Sequence, residues 1–356
     1  MSSEAIEMVR VARKGIKNIA KKVFLLFVSL LFCLTVFLFG EALCRMFTDI
    51  NLVGNSRDLF IKNAYGASHG NAKNAEALSF GTKVYTDKNG FRVPRTTNNI
   101  NKHYKLAILI LGDSVGFGCG IDEEKTFAGR LHASLPSTRI YNSSVIGYNT
   151  YDYKNVIENF LPLHDEINKV YLIFCLNDIS ASSSKLIDNE LNSSEEDFTR
   201  RETFVKSIKK IDFINKLNNF LRCRSKLYLL IKNVLTDPQS RYWAADSRLY
   251  LENNDQSFSK CMQPIVDIAT ILKRRNVSFT IIIIPYAFQL RNDISTKKPQ
   301  VKLGDFFKKR GINYIDSFVK FENLGIPYEE LFLPYDAMHL SEKGHNVIYN
   351  IIIETL

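Results

Sequence analysis

The sequence Leu106-Ala-Ile-Leu-Ile-Leu-Gly-Asp-Ser114 decides how this chain is expected to fold. Its first six residues are all apolar, which is typical of a strand buried on both faces of a sheet. The run stops at Gly112, and Asp113 and Ser114 follow at once. Because ligands of open α/β sheets bind at the carboxyl ends of the strands, this stretch predicts a serine hydroxyl at a binding edge.

After this strand, apolar strand patterns alternate with helical patterns to the end of the chain. The predicted strands are 139–142, 169–176, 278–284 and 313–316, and the predicted helices are 126–135, 151–160, 258–274, 301–310 and 341–355. This alternation predicts a parallel sheet covered by helices on both faces, in a domain of residues 105–356. A helical insert is predicted at about 180–257, with polar loops at 180–184 and 192–197 and a basic helical pattern at 204–234.

An uncharged apolar run, residues 23–40, lies near the start of the chain. As a helix rising about 1.5 Å per residue it would cover roughly 27 Å, close to the thickness of a bilayer core. We interpret residues 23–43 as a transmembrane signal anchor. A buried globular helix and a cleaved signal peptide are the alternatives, but the run is long for a signal peptide and Glu41-Ala-Leu-Cys-Arg45 is a poor cleavage site.

The charges around this run predict its orientation. Residues 1–22 are basic and amphipathic, as in a helix on the inner membrane surface, whereas few cations follow residue 43. We therefore expect a single-pass protein of a bacterial cell membrane, with its N-terminus in the cytoplasm and its large domain outside. Residues 44–104 form a predicted connector, with a turn at Asn89-Gly90 between two extended pieces and a loop at 96–102.

Composition argues against several other kinds of function. The 356 residues are 46% apolar, which allows a large core, and the net charge of +10 is spread over short clusters rather than interleaved with aromatics as on a nucleic-acid-binding face. The six cysteines contain no C-x-x-C pair, so zinc and thioredoxin-like sites have no support. Cys223 and Cys261 could form a disulfide outside the cytoplasm. The glycines at 112–120 do not have the spacing of a nucleotide-binding loop.

A nucleophilic serine needs a base, and the base needs a group that orients it. His339 follows Asp336 by three residues just before the last helix, so one turn could bring both groups together. Acyl transfer also needs hydrogen-bond donors for the developing oxyanion. The candidates at strand ends are the backbone N–H groups of Ser114 and Gly147 and the side-chain amide of Asn177.

These motifs together resemble those of the SGNH (GDSL) hydrolases. The resemblance covers about residues 105–356 without the insert, and it implies a three-layer α/β/α flavodoxin-like fold that uses no metal and no organic cofactor. It implies Ser114 as nucleophile, His339 as base and Asp336 as its orienter, with Ser114, Gly147 and Asn177 as oxyanion donors and Asp113 and Asp178 in support. Cys175 stands where the family usually has a glycine in its G-x-N-D block. The Asn89-Gly-Phe-Arg segment and the insert resemble a membrane-anchored subgroup linked to bacterial surface polysaccharides.

Three functions remain open at this point. The first is an extracytoplasmic esterase or deacetylase that acts on an ester, such as an acylated glycan or lipid, through an acyl-enzyme. The second is an O-acyltransferase that modifies a surface polysaccharide with a membrane-embedded acyltransferase as partner. The third is a non-catalytic envelope scaffold, against which the presence of the whole set of catalytic residue types argues.

Overall fold

The computed structural model describes residues 3–95, 104, 106–179, 212–251, 255–291 and 294–356, and its centre is an eight-stranded sheet. The strands in chain order are β1 (Phe60–Lys62), β2 (His69–Asn71), β3 (Glu76–Ser79), β4 (Thr82–Thr86), β5 (Arg92–Val93), β6 (Leu106–Gly112), β7 (Thr138–Asn142), β8 (Ile167–Phe174), β9 (Ser278–Ile283) and β10 (Tyr314–Asp316). β1 and β2 form a separate antiparallel pair, and the other strands join in the order β10-β9-β8-β6-β7-β5-β4-β3.

The five strands of the predicted domain are parallel to one another. Their spatial order is β7-β6-β8-β9-β10, which is the 2-1-3-4-5 order of flavodoxin-like sheets. β6 lies between β7 and β8, and all its residues after Leu106 are buried, as its apolar sequence predicted. From β6 the chain first continues to β7 on one side and then crosses to β8 on the other side. The carboxyl end of β6 is therefore the topological switch point of the sheet.

The remaining edge of the sheet comes from the connector. β5 pairs antiparallel with β7, and β4 and β3 continue outward in antiparallel register. The predicted turn at Asn89-Gly90 joins β4 to β5, with the Gly90 N–H donating to Asp87 O at 2.9 Å. The fold class is thus confirmed with one correction, since the sheet is mixed rather than wholly parallel. The side chains of β3 alternate between exposed and buried, as in a strand with one face on the core and the other in solvent.

Helices cover both faces of the sheet. In chain order they are α1 (Ser3–Phe47), α2 (Ser114–Phe117), α3 (Phe127–Ser134), α4 (Thr150–Phe160), α5 (Asp212–Arg222), α6 (Lys226–Thr236), α7 (Pro238–Asp246), α8 (Arg248–Leu251), α9 (Asp255–Arg274), α10 (Ala287–Arg291), α11 (Lys298–Lys308), α12 (Phe318–Glu322) and α13 (Glu342–Glu354). α3 packs against α13, and α4 packs against α9. The five helices predicted outside the insert are all present, with ends shifted by a few residues.

The helix α1 runs without a break from Ser3 to Phe47. Its segment Lys17–Phe47 is long and apolar enough to cross a membrane, and the most apolar window of that segment is not buried by the rest of the chain. A helix from the core of a soluble protein would be buried, so this observation removes one of the two alternatives to an anchor. A signal sequence would pass the same test of length and composition.

The described part of the insert is helical. α5 and α6 are separated by a short break, and Ser225 caps α6 by accepting the N–H of Tyr228 at 3.0 Å. The helices α7 and α8 were not predicted, and α9 begins at Asp255. The predicted loops at 96–102, 180–184 and 192–197, and the first part of the predicted helix at 204–211, lie outside the described residues.

The end of α1 is bound to the start of α6. The Glu41 carboxylate accepts hydrogen bonds from the Ser225 hydroxyl (2.8 Å) and from the backbone N–H groups of Lys226 (3.1 Å) and Leu227 (3.0 Å). A carboxylate at this position satisfies N–H groups that have no partner within their own helix. Arg45 completes the joint, with Nε 2.7 Å from Glu41 and Nη2 donating to Arg224 O.

The disulfide that the sequence left open is not formed. Cys261 is buried, whereas Cys223 is exposed and directs its thiol to Val53 O at 3.1 Å. Both residues are free thiols.

Candidate active site

The candidate nucleophile stands at the sharp turn from β6 into α2. Asp113 caps α2, because its Oδ1 accepts the Val115 N–H at 2.8 Å, and Ser114 is the first residue of the helix. The turn is packed tightly against the β7 loop: a Cβ on Gly116 would lie 2.6 Å from Ser144 Oγ. The sequence G-D-S-x-G therefore places the hydroxyl at the carboxyl end of β6, as predicted, and glycine is needed for the close approach.

Ser114, His339 and Asp336 form a chain of hydrogen bonds. Ser114 Oγ lies 2.8 Å from His339 Nε2, and His339 Nδ1 lies 2.9 Å from Asp336 Oδ2. Since the carboxylate can only accept, Nδ1 carries the hydrogen and Nε2 is the nitrogen that can take the serine proton. The three predicted residues are thus brought together with the geometry that a serine nucleophile requires.

A short closed loop presents the histidine and the aspartate. Phe332 and Leu340 form an antiparallel bridge across it, and the Leu333 N–H donates to His339 O at 2.9 Å. Inside the loop, Asp336 Oδ1 accepts the backbone N–H groups of Met338 and His339, both at 2.9 Å. These bonds fix the carboxylate so that its other oxygen points at the imidazole.

The pKa values of the pair move in opposite directions. Burial lowers the pKa of His339, but the charge and hydrogen bond of Asp336, with a contribution from Asp113, raise it above its ordinary value overall. Burial raises the pKa of Asp336, but the charge and hydrogen bond of His339 hold that pKa below its ordinary value. Asp336 is therefore ionised wherever His339 can act as a base.

The loop after β7 brings the predicted Gly147 to this edge. Val145 N–H donates to Gly112 O at 3.1 Å, which ties the loop to the end of β6. Gly147 has a φ of 83°, a conformation that residues with a Cβ rarely adopt. The carbonyl of the Ile146–Gly147 peptide group accepts a hydrogen bond from His69 Nε2 at 2.9 Å. His69 thus holds the plane of the same peptide group that carries the Gly147 N–H.

Asn177 also lies beside the nucleophile. Its Nδ2 donates to Asp113 Oδ2 at 2.8 Å, and the same Asp113 oxygen lies 3.4 Å from Ser114 Oγ. The Tyr286 hydroxyl lies 3.5 Å from Asn177 Oδ1 and donates to Asp246 at 2.7 Å. Asp113 therefore contacts both the nucleophile and the third predicted oxyanion donor.

Cys175 occupies its position without strain. Its side chain is buried in the main core and its backbone φ is not positive, so no glycine is required here. Asp178 Oδ2 accepts the Cys175 N–H at 3.0 Å, and the Asp178 N–H donates to Cys175 O, which closes the turn that carries Asn177. Burial, together with the charge of Asp113, raises the pKa of Asp178 well above its ordinary value. Through its two hydrogen bonds to Cys175, Asp178 stabilises the turn that carries Asn177.

A cavity of about 450 Å³ opens beside His339 and Asp336. Its walls come from the segment just after α1, from the insert helices α5 to α7 and from the loop of residues 333–339. The lining combines apolar side chains such as Ile50 and Leu229 with the cations Arg222, Lys232 and Arg241. Within the described ranges, no group of three or more His, Cys, Asp or Glu side chains is placed to hold a metal.

Sequence reasoning missed three residues of the connector that support this site. Phe80, at the tip of the β3–β4 hairpin, packs its ring 5.0 Å from the ring of His339. His69 holds the Ile146–Gly147 peptide, as described above. Arg92 is completely buried and donates to the carbonyls of Phe117, Gly118 and Ile121, just after the nucleophile helix. The Asn89-Gly-Phe-Arg segment was noticed, but nothing local to it indicates which distant carbonyls its arginine contacts.

Comparison with known proteins finds matches among solved structures and none among family models or curated sequences. No family model matches the chain, and no curated protein does. A lipolytic protein of the G-D-S-L family from Veillonella parvula has 12% identity over 70% of this chain and 98% of its own, with a TM-score of 0.40. A catalytic mutant of Axe2, an acetylxylan esterase from Geobacillus stearothermophilus, has 11% identity over 72% of this chain and 95% of its own, with a TM-score of 0.41. A lipase/acylhydrolase from Enterococcus faecalis has 12% identity over 70% and 94%, with a TM-score of 0.38.

Proposed function

We propose that this protein is a membrane-anchored serine esterase or deacetylase that acts outside the cytoplasm on an ester-bearing glycan or lipid. The observation that carries the proposal is the chain of hydrogen bonds from Ser114 through His339 to Asp336 at the switch point of the sheet. A serine at a switch point with a base and an orienting carboxylate is the arrangement of nucleophilic acyl transfer.

In the acylation step, Ser114 Oγ attacks the carbonyl carbon of the ester and its proton passes to His339 Nε2. The negative charge that develops on the carbonyl oxygen is held by the N–H groups of Ser114 and Gly147 and by the Asn177 amide. The bond from carbon to the leaving alcohol then breaks, and His339 gives its proton to that alcohol. Asp336 stabilises the imidazolium between these two transfers.

Deacylation repeats these transfers with water as the acceptor. A water molecule attacks the acyl carbon while His339 takes one of its protons. The bond from that carbon to Ser114 Oγ then breaks, His339 returns the proton to Oγ, and the acid leaves. The cavity beside His339 provides room for the part of the substrate that carries the ester. Its lining combines apolar side chains with cations and with the carboxylates of Asp246 and Asp336, which suits an amphipathic molecule.

The anchor is part of the proposal. Cleavage of α1 as a signal peptide would remove Glu41, and with it the acceptor for the first N–H groups of α6. We therefore propose that α1 stays attached and that the large domain stands on the extracytoplasmic side, as the positive charges before the span indicate.

An O-acyltransferase is the second candidate. The observation that favours it is that Ile50 and Asn51, only a few residues beyond α1, line the cavity, so that an acyl-enzyme would form close to the bilayer. A membrane-embedded partner could then load Ser114, and a sugar hydroxyl would replace water in the second step. His339 would take the proton of that hydroxyl in the same way.

The test uses the full chain in detergent or nanodiscs, treated with a fluorophosphonate probe and with p-nitrophenyl acetate. We expect both covalent labelling and turnover, and we expect both to vanish in Ser114→Ala. Ser144→Ala is the matched control, because that serine lies next to the nucleophile turn but outside the hydrogen-bonded chain. It should label as the natural protein does.

Each result has a distinct meaning. Labelling of folded Ser114→Ala, or equal loss in Ser144→Ala, would contradict the assignment of the nucleophile. Labelling without release to water, followed by transfer to an added oligosaccharide, would favour the transferase. No labelling of the folded natural protein would favour the scaffold.

A further inference from the structure

The helices α5 and α6 each leave a stripe of large apolar side chains exposed. On α6 the exposed residues are Ile231, Val234 and Leu235, and on α5 they are Phe213, Ile214, Leu217 and Phe220. Spacings of three and four residues place each set on one face of its helix. Rows of exposed apolar residues on a folded chain mark surfaces that contact something else.

The two sides of α6 face different surroundings. Leu229 is buried and lines the catalytic cavity, as do Lys232 and Asn233 on the same side. The helical period of 3.6 puts the exposed stripe on the opposite side, in line with Leu227. The helix therefore has the cavity beside His339 on one side and, on the other, an apolar face that no described residue covers.

Leu227 connects this face to the membrane-spanning helix. A Cβ on Gly40 would lie 3.0 Å from the Leu227 side chain, and Glu41 caps the first turn of α6. The start of α6 therefore lies at the level of the last turns of the span. Further back, residues such as Leu34 and Val36 are exposed, so α6 does not run down along α1 into the bilayer. It must leave α1 near the membrane surface.

Charge distinguishes a bilayer from a second copy of the chain. Between the end residues Asp212 and Asp237 the helix pair contains no further Asp or Glu. Its five cations are Lys216, Arg222, Arg224, Lys226 and Lys232, of which the second and the last line the cavity. Two such segments brought face to face would repel each other. An amphipathic pair with a basic polar side is the form of helix that lies in the interface of an anionic membrane.

We infer that the exposed stripes of α5 and α6 dock on the outer surface of an anionic lipid bilayer. This inference rests on the membrane-anchored part of the proposed function. It deepens that function, because docking holds the wall of the catalytic cavity at the head groups. Substrates that reside in the membrane, such as ester-bearing lipids or lipid-linked glycans, then reach Ser114 without leaving it.

The experiment measures lipid contact directly in the full chain. Leu235→Trp (76% exposed) and Phe213→Trp (72%) are compared with Leu163→Trp (78%). Leu163 lies just before β8, at the amino ends of the parallel strands and therefore away from the carboxyl ends that carry the site. The proteins are placed in nanodiscs of phosphatidylcholine and phosphatidylglycerol, with and without phosphatidylcholine brominated near the top of the acyl chains. The unsubstituted protein gives the background from Trp243.

We expect bromination to remove about half of the added emission at Leu235→Trp and Phe213→Trp, as for side chains inserted just below the head groups, and none at Leu163→Trp. Without phosphatidylglycerol the loss should shrink. Emission that bromination leaves unchanged at the first two positions overturns the inference, whether a second copy or water covers them. Equal quenching at Leu163→Trp overturns it as well.

Two further readouts separate this inference from the proposed function. Quenching does not depend on turnover, so the same result is expected in the Ser114→Ala background even if the protein is not an esterase. Phe32→Trp, in the middle of the span, reports on the anchor alone. Quenching at Phe32→Trp without quenching on α5 and α6 contradicts the docking and leaves the anchor intact.

Discussion

Two pairs of ionisable side chains lie at opposite ends of the short helix that begins at Ser114. Asp336 and His339 stand at its start, and their side chains keep 19% and 13% of their exposure. Arg92 and Glu123 stand at its end, with 0% and 2%, and their charged atoms are 2.8 Å apart. One pair faces the cavity, and the other is sealed inside the chain.

The difference in exposure corresponds to a difference in task. The partly exposed pair can exchange a proton with a substrate through His339, while Asp336 stays ionised. The sealed pair holds backbone: the Arg92 guanidinium spans the carbonyls of Phe117, Gly118 and Ile121, where a cation also suits the end of a helix. One pair is therefore placed for chemistry, and the other fixes the shape of the turn that presents Ser114.

The largest change in activity is expected on removal of His339 from the partly exposed pair. His339→Ala should lower kcat by about 10⁴-fold, because neither proton transfer then has a base, while the melting temperature changes little. Turnover of p-nitrophenyl acetate and a thermal melt measure the two quantities. His132→Ala is a control, since His132 lies on α3 outside the site. A loss of less than tenfold in His339→Ala would show that another group acts as the base.

The second effect separates the pairs by stability. Arg92→Met should lower the free energy of unfolding by about 3–5 kcal/mol, because the buried Glu123 then either stays charged without a partner or has to bind a proton. Lys83→Met, which removes an exposed pair with Glu76, should cost about 0–1 kcal/mol. Urea titration followed by circular dichroism measures both changes.

A second variant and the pH dependence sharpen this prediction. Replacing Glu123 by Met in the Arg92→Met background should recover part of the loss, though not the bonds to the carbonyls. Burial already raises the pKa of Glu123 to about 7 although Arg92 lowers it. A raised carboxyl pKa means that stability falls as the pH rises above the unfolded value of about 4. The cost of Arg92→Met should therefore be smallest in acid.

The two pairs also differ in how far the sequence predicts them. Ser114 and the Asp336–His339 pair each sit in a local pattern: a buried strand that ends in G-D-S, and two residues three apart before a helix. The expectation of a parallel sheet added that Gly147 and Asn177, which follow two other strands, share an edge with Ser114. The fold class followed from the alternation of strands and helices, because that pattern depends only on which faces are buried.

Other features depend on contacts between distant segments. Arg92 contacts Glu123 at a separation of 31 residues, and His69 contacts Ile146 at a separation of 77. The strand β3 was hidden in a polar segment, because an edge strand that is half exposed carries only a weak apolar pattern. Nothing in the sequence around Glu41 indicates that its hydrogen-bond partners are residues 225–227.

The third effect concerns the pH dependence of activity and involves only the partly exposed pair, Asp336 and His339. The neutral imidazole is the active form, so kcat/KM should rise with pH through a pKa that Asp336 holds above the ordinary 6.5. In Asp336→Asn the charge is lost and burial is left to lower the pKa of His339, so the acid limb of the residual activity should shift to lower pH. An unshifted limb would mean that a different group titrates.

Stability should change with pH in the opposite direction. A histidine whose folded pKa is raised contributes stability that is fully present below the unfolded value and is lost as the pH rises through the folded pKa. The difference in melting temperature between the natural protein and Asp336→Asn should therefore shrink across the same pH range in which activity rises.

The smallest effect concerns His69, which touches neither pair. Its Nε2 must donate to the Ile146 carbonyl, because that oxygen can only accept, and the bond holds the peptide whose other end is the Gly147 N–H. His69→Ala should lower kcat by about tenfold with little change in KM, less than the loss of an oxyanion donor itself. His164→Ala is the matched control, because His164 pairs with Glu166 near the start of β8. If His69→Ala raised KM and left kcat unchanged, the residue would shape the pocket and would have no part in orienting the Gly147 donor.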